Sequence, residues 1–381
     1  AEIAGEVRQN LDFLASDLRN LPTRHRSMRA VFDASWQHLD PAEQAVFRQL
    51  SVFRGGFTRQ AAAAVSGATL RHLGHLIYKS LLHYDRVHNR YWLHELLQQY
   101  GVDRLAAGGA EATAVSTRHC DYFIERLIAC SDLLKGADQA GALAELDDDI
   151  DNFRLAWRTA IAGDEVTRVR PAMDTLGFYF EWRVHPHEGR AAFQRLADAV
   201  DPDESAEARA TLIRALAWQA SFLRQSGRPD AALELLDRAE TLCSHPDIDE
   251  STRLFEQALI AYQRGYCLER RHNERALACF RESVKLWEAY DDPWWTALGL
   301  GGLGFMLSWS NHFIEARAEL SKSADLFEQY GHVRELIFLY NRLSDSCKFK
   351  GELAAARAHA QRALTLSEQS KHKKGMADAL R

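Results

Sequence analysis

Gly299-Leu300-Gly301-Gly302-Leu303-Gly304 has the spacing with which glycines let a backbone close around a pyrophosphate. That chemistry needs a strand before the run and a helix after it. Here the run lies inside an apolar stretch of helical period, so it reads as a helix interior whose glycines mark a close helix contact or a kink. No Gly-x4-Gly-Lys-Ser/Thr phosphate loop occurs in the chain. His185-Pro186-His187-Glu188 brings two imidazoles near a carboxylate, but Pro separates the rings and no third ligand follows, so a solvated turn is expected. Asp147-Asp148-Asp149 with Asp151 lacks EF-hand spacing and reads as the acidic start of a helix. No Ser/His/Asp or Cys/His grouping has hydrolase-like flanks. These residues are expected to carry no catalytic core and no metal site.

Recognition chemistry is better supplied. Trp294, Trp295, Phe305, Trp309, Tyr330, Phe338 and Tyr340 gather late in the chain. Aromatic rings on a concave surface anchor ligands, and the same rings can fill a core. Most are expected in the core. Trp309, Trp294, Trp295 and Tyr340 are the candidate ligand or partner contacts, with Trp309 foremost. Arg71, His72, His75 and Lys79 share one short helical stretch, which suits phosphate contacts on DNA, but four such groups are few. Lys371-His372-Lys373-Lys374 reads as a basic helix terminus.

The elements that must position these groups follow from length and pattern. The chain has 381 residues, 46% hydrophobic and 26% charged, with 22 Gly and 8 Pro, which excludes collagen-like and disordered classes. No apolar run is long enough to cross a bilayer, and the opening residues do not form a basic stretch followed by an apolar one. The opening Ala1-Glu2-Ile3 suggests a piece of a longer protein. Net charge is −6, which argues against a dedicated polyanion binder. Residues 27–107 carry nine Lys/Arg against six Asp/Glu, a modestly basic segment on an acidic body. Six cysteines show neither CxxC nor zinc spacing. Cys243, Cys267 and Cys347 lie among apolar helical residues, and a reduced, cytoplasmic setting is expected.

A repeat governs the second half. Alanines at 192, 232, 276, 316 and 356 are spaced by 40, 44, 40 and 40 residues. Four residues on come Leu196, Leu236, Phe280, Leu320 and Ala360, and seven on the small Ala199, Ala239, Ser283, Ser323 and Ala363. These offsets share one helical face, and small residues allow helices to cross closely. Sixteen residues before each alanine stands Leu176, Leu216, Ile260, Leu300 or Tyr340. Gly227, Arg271, Asn311 and Gly351 mark the turns, and all but Arg271 suit a left-handed helix end. Each unit is a helical hairpin that buries its apolar face only by stacking on the next. The pattern resembles the tetratricopeptide repeat, TPR, with a longer period.

In the first half, Asp40-Pro41-Ala42-Glu43 signals a capped helix start. Gly55-Gly56 breaks the chain, and Thr58 caps a second helix through Val65. A third helix is expected over Leu70–Leu81 with Leu73, Leu76 and Ile77 inward. Residues 82–85 and 90–93 flank Arg86-Val87-His88-Asn89 as a small hairpin, and a helix follows from Glu95 to about Ala106. Three helices and a hairpin give a winged helix.

Arg24-His25-Arg26-Ser27, Leu50-Ser51-Val52-Phe53 with Gly55-Gly56-Phe57, and Lys79-Ser80-Leu81-Leu82 resemble the region after the nucleotide-binding core of STAND regulatory ATPases. Leu93-His94-Glu95-Leu96-Leu97 is similar to their Met-His-Asp motif, with Leu for Met and Glu for Asp. Asp149-Ile150-Asp151-Asn152-Phe153-Arg154 with Trp157 is similar to the bridge into the repeats of bacterial members. The resemblance implies that His94 contacts the β-phosphate of ADP in the full-length protein, a bond an imidazole can donate to an anionic oxygen. It implies ADP or ATP on an upstream ATPase core in cis, with no cofactor held by these residues alone. The expected fold is all-α with a small β-hairpin wing, a winged helix followed by a TPR-like α-solenoid. The expected division is a helical tail at 1–26, the winged helix at 27–107, a helical bridge at 108–165 and about five repeats at 166–381. The expected function is the sensor portion of a bacterial signal-transduction ATPase, whose repeats bind a protein or small-molecule inducer. The rivals are a passive TPR scaffold and a DNA-binding winged-helix regulator; neither nucleic acid nor membrane is the expected partner.

Overall fold

The computed structural model describes residues 28–163, 166–370 and 373–380. The expected tail at 1–26, the Arg24-His25-Arg26-Ser27 phrase and Lys371-His372 lie outside the described residues. Helix accounts for 79% of the structure, and the only sheet among the described residues has two strands, so the architecture is an all-α solenoid. No helix among the described residues is long and apolar enough to cross a membrane. The chain divides into two compact units, one holding the described residues up to Arg126 together with Glu145–Ala160, the other Leu127–Ala144 together with the residues from Ile161 onward.

In the first unit the elements are α1 (Met28–Gln37), α2 (Pro41–Leu50), α3 (Arg59–Ser66), α4 (Leu70–Tyr78), β1 (His83–Asp85), β2 (Arg90–Trp92) and α5 (Glu95–Ala106). Parts of two long helices, α6 (Ala110–Lys135) and α7 (Gln139–Ile161), complete it. The start of α2 is a full capping box: Asp40 accepts from the Glu43 amide at 2.8 Å, and the Glu43 carboxylate accepts from the Asp40 amide at 3.0 Å. Thr58 caps α3 as expected. Helix α4 stops at Tyr78, short of the expected Leu81, because Ser80 turns to φ 57° and sends Leu81 and Leu82 inward. Leu73 and Leu76 are buried, but Ile77 is 36% exposed; the helix is too short to turn a third residue inward. β1 and β2 pair antiparallel with His83 opposite Trp92, and Phe57 bridges Tyr91 from outside the hairpin. Phe53 and Phe57 stack at the centre, and Phe123 meets Phe53 edge-on.

The expected acidic helix start at Asp147–Asp151 is a correction. These residues fall inside α7, where Asp149 receives two bonds from the Arg90 guanidinium, at 2.5 and 3.2 Å. A partner cation, rather than a helix dipole, holds that charge.

The second unit contains the elbow between α6 and α7, a 3-10 segment (Val166–Ala172) and five helical hairpins. They are α8 (Met173–Trp182) with α9 (Pro186–Ala199), α10 (Ala206–Gln225) with α11 (Pro229–Cys243), α12 (Glu250–Leu268) with α13 (Asn273–Tyr290), α14 (Pro293–Trp309) with α15 (Phe313–Tyr330), and α16 (Val333–Phe349) with α17 (Leu353–Gln369). A short α18 (Lys373–Ala379) follows. The ladder of Ala232, Leu236, Ala239, Ala276, Phe280, Ser283, Ala316, Leu320, Ser323, Ala356 and Ala363 is buried. Ser323 fits so closely that its hydroxyl donates to the Ala297 carbonyl of α14 at 2.6 Å. The first hairpin departs from the expected register. Ala192 is half-buried and Ala199 exposed, whereas Gly189, Phe193 and Leu196 are buried, so the ladder starts three residues earlier there. The Phe222 ring explains the shift, since it would lie 2.6 Å from a Cβ at Gly189. Gly227, Asn311 and Gly351 take positive φ at their turns, as does Val184 in the first hairpin.

The glycine-rich run lies inside α14 and serves close contact. A Cβ at Gly302 would meet Phe280 at 2.8 Å, and one at Gly304 would meet Leu320 at 2.6 Å.

Candidate functional site

Inside the second unit lies a cavity of about 570 Å³. Its wall comes from the first helix of every hairpin, α8, α10, α12, α14 and α16, together with α18; none of the second helices contributes. The division follows from the sequence. The second helices spend their small-residue face on stacking, which leaves the inner faces of the first helices to line the hollow.

One repeat position supplies much of that wall. Two residues after Leu176, Leu216, Ile260, Leu300 and Tyr340 come Phe178, Trp218, Tyr262, Gly302 and Arg342. All but Gly302 line the cavity. The period that located the ladder therefore also carried the site, at an offset that sequence reasoning did not follow. Trp218 is fixed from behind: its indole N–H donates to Asp174 at 2.9 Å. Asp174 also accepts from Arg214 at 2.6 Å, and Arg214 makes further bonds of 2.7–3.1 Å to buried Glu256. This network joins α8, α10 and α12 beneath the cavity wall.

Polar groups face the hollow among these rings. Glu181 and Glu335 both line it, and burial pushes both carboxyls above the ordinary carboxylate range, against the pull of neighbouring arginines. Arg224 lies over the Tyr266 ring, 5.1 Å from its centroid, and Arg334 over Trp182 at 5.5 Å. Arg224 approaches Glu181 only to 3.9 Å, beyond hydrogen-bond reach. Burial also raises the Tyr262 and Tyr266 hydroxyls, so both rings stay neutral. Gln263 is 3% and Asn341 6% exposed, yet Gln263 Oε1 and Asn341 Oδ1 find no hydrogen-bond partner among the described residues. Arg224 Nε and Arg342 Nε are in the same condition. All four belong to cavity-lining side chains. Buried polar atoms left unpaired are costly, and four of the eleven found among the described residues belong to this wall.

The four aromatic candidates are distributed differently. Trp295 lines the cavity. Trp294, 2% exposed, is core, with the Lys135 ammonium 5.1 Å from its ring centroid and Phe327 and His332 against its edges. Trp309 is 62% exposed at the end of α14, outside the cavity. Tyr340 is half-buried and donates to Glu328 at 2.6 Å, also away from the cavity. Sequence reasoning missed Trp182, Trp218, Tyr262, Tyr266, Glu181, Glu335 and Arg224.

In the first unit His94 is exposed and caps α5, its Nδ1 accepting from the Leu96 amide at 3.3 Å. A smaller hollow of about 180 Å³ lies beside it, between Gly55-Gly56 and Leu93. His75 on α4 and Lys79 just after it both reach buried Glu43, at 2.9 and 2.6 Å, so two of the four candidate groups are engaged by that carboxylate. His185 precedes α9, which opens at Pro186. Burial pushes the Cys243 and Cys267 thiols up to about 12 and about 11.

No protein-family model matches the chain. It is 28% identical over 333 residues to a protein of Mycobacterium bovis and to its counterpart in Mycobacterium tuberculosis, both bearing the provisional name HTH-type transcriptional regulator. The match takes in 84% of this chain and spans 37% of the length of those curated relatives. Among solved structures, the chain is similar to a Signal Transduction ATPase with Numerous Domains (STAND) protein with a tetratricopeptide repeat sensor from Pyrococcus horikoshii. That similarity has a TM-score of 0.52 at 14% identity and covers 92% of this chain and 54% of the other. At that identity the likeness speaks for the fold.

Proposed function

We propose that this chain is the regulatory and sensor portion of a cytoplasmic bacterial STAND regulator. In this reading α2 to α4 with the β1–β2 hairpin form a winged helix, and the five hairpins hold an inducer. An ATPase core elsewhere in the longer protein carries the nucleotide, and these residues do no catalysis. His94 would contact the β-phosphate of ADP when that core is docked.

The observation that carries the reading is the cavity: about 570 Å³, walled by every first helix of the repeat, with arginine, glutamate, glutamine and asparagine side chains among its aromatic rings. A hollow of that volume suits a small ligand. The mechanism requires the inducer to favour one state of the regulator, since equal affinity for both would shift nothing. The test uses the longer protein. ADP retention is measured with and without inducer, and with His94→Ala. The reading expects faster ADP release in each case; retention unchanged by His94→Ala removes the phosphate contact.

The relatives' name supports a second reading, in which α4 meets DNA. It expects salt-dependent duplex binding by this chain. The engagement of His75 and Lys79 by Glu43 weighs against it. Absence of duplex binding at low salt would exclude α4 as a DNA reader.

A further inference from the structure

The cavity's polar groups restrict what can occupy it, and this step rests on the sensor reading above. Three arginines line it, Arg224, Arg334 and Arg342, and three acids, Glu181, Glu335 and Asp378. The formal charges balance, so a ligand of large net charge of either sign would leave part of the wall uncompensated. Opposite charges stand close together in it. Arg224 pairs with Glu181 at 3.9 Å, too long for a hydrogen bond, and spends its face on Tyr266, while Arg334 lies on Trp182 and Arg342 pairs with Asp345 at 3.5 Å. Opposite charges lining one hollow favour a guest bearing both signs, because each pole is then met by its opposite.

The polar side chains sharpen the choice. Gln263 and Asn341 carry carboxamides that both donate and accept, whereas the arginines only donate. A wall of that kind suits a ligand with both donors and acceptors. The rest of the wall is broad aromatic surface, Phe178, Trp218, Tyr262 and Trp295 among it, which suits an apolar body.

We infer that the cavity takes an amino-acid zwitterion with a large apolar side chain, its ammonium against Glu181 and Glu335, its carboxylate against Arg224, and its side chain among the rings. An ammonium and a carboxylate on one carbon match the Glu181–Arg224 ion pair, whose 3.9 Å spacing leaves the two without a hydrogen bond to each other. Aromatic faces around an ammonium add cation–π attraction.

The test is calorimetry and thermal melting of the 381-residue chain with L-phenylalanine, L-leucine and L-isoleucine. N-acetyl-L-phenylalanine and L-phenylalaninamide each remove one charge, and glucose, spermidine and citrate represent the neutral polyol, the cation and the anion. At least one free amino acid is expected to bind, and blocking either end of phenylalanine or introducing Glu181→Gln is expected to weaken its binding at least tenfold. The blocked ligands test the idea on the unaltered protein, so a misfolded variant cannot hide the answer. Equal binding of blocked and free forms overturns the zwitterion. Binding of glucose, spermidine or citrate alone, abolished by Tyr262→Leu, also overturns it and leaves the sensor reading in place. No binding by any probe overturns it and removes the cavity's support for that reading as well.

Discussion

Asn152 Oδ1 accepts the Arg54 amide N–H at 2.7 Å, joining α7 to the loop after α2 across 98 positions of sequence. The same side chain donates to the Gly56 carbonyl at 2.8 Å and to Asp149 at 3.0 Å. His119 stands 3.2 Å from Asn152 Oδ1, and burial holds its imidazole down at about 4, so it is neutral and its Nε2–H donates. Asn152→Ala leaves several buried partners unpaired and is expected to cost about 2–4 kcal/mol. Asn152→Asp keeps the acceptor but loses both donated bonds and sets a buried carboxylate against Asp149 and the Gly56 carbonyl, so it is expected to destabilise as well. Guanidinium unfolding followed by amide exchange in the first unit should place wild type above both variants.

Gly177 faces the Trp218 ring so closely that a Cβ would lie 2.4 Å from it. Alanine is the better helix former by about 1 kcal/mol, yet crowding a rigid indole costs about 1–3 kcal/mol. Gly177→Ala should therefore destabilise. Gly74→Ala, in an exposed stretch of α4 with nothing within 4 Å, should stabilise by about 0.5–1 kcal/mol. Paired thermal melts check the opposite signs.

Arg214→Leu removes the cation between Asp174 and Glu256 and leaves buried Glu256 with only the longer Arg170 contact at 3.4 Å. A loss of about 3–5 kcal/mol is expected. Because Trp218 hangs from Asp174, its emission should shift as well. Urea unfolding and tryptophan fluorescence measure the two effects separately.

Glu335 holds its proton more tightly in the folded chain, because burial penalises the charge more than Arg334 relieves it and Glu181 adds repulsion. Its contribution favours folding at low pH and is lost as pH rises above the ordinary carboxyl value of about 4.5. Glu335→Gln should raise the neutral melting temperature by about 2–4 °C per kcal/mol of relieved repulsion, and the gain should vanish near pH 4. Equal melting curves at pH 7 would contradict this.

Glu43 behaves in the opposite sense. Hydrogen bonding to Lys79, with further bonds to Asp40 and His75, lowers it to about 2 despite burial. Its stabilising share is full above about 4.5 and fades as pH falls toward about 2. Amide exchange in α2 and α4 should accelerate over that window in the wild type and be flatter in Glu43→Gln.

The periodic face of the second helices was legible because small residues recur wherever backbones cross, and Ala232, Ala276, Ala316 and Ala356 report that crossing directly. The first hairpin hid its register because Gly189, rather than an alanine, takes the crossing position. Asp40, Pro41 and Glu43 marked the start of α2 through local chemistry alone. The cavity was harder to see. Its residues share a repeat offset but not a residue type, and whether an aromatic ring faces a neighbour or a hollow depends on how five hairpins curve. Trp294 and Trp295 adjoin in sequence, yet one is core and the other wall.

The stacking ladder and the cavity wall belong to different helices of each hairpin. Selection can therefore revise what the hollow admits without disturbing what keeps the coil assembled. A library varied at Trp182, Gln263, Phe338 and Asn341 should yield folded proteins whose hollows differ in shape and polarity.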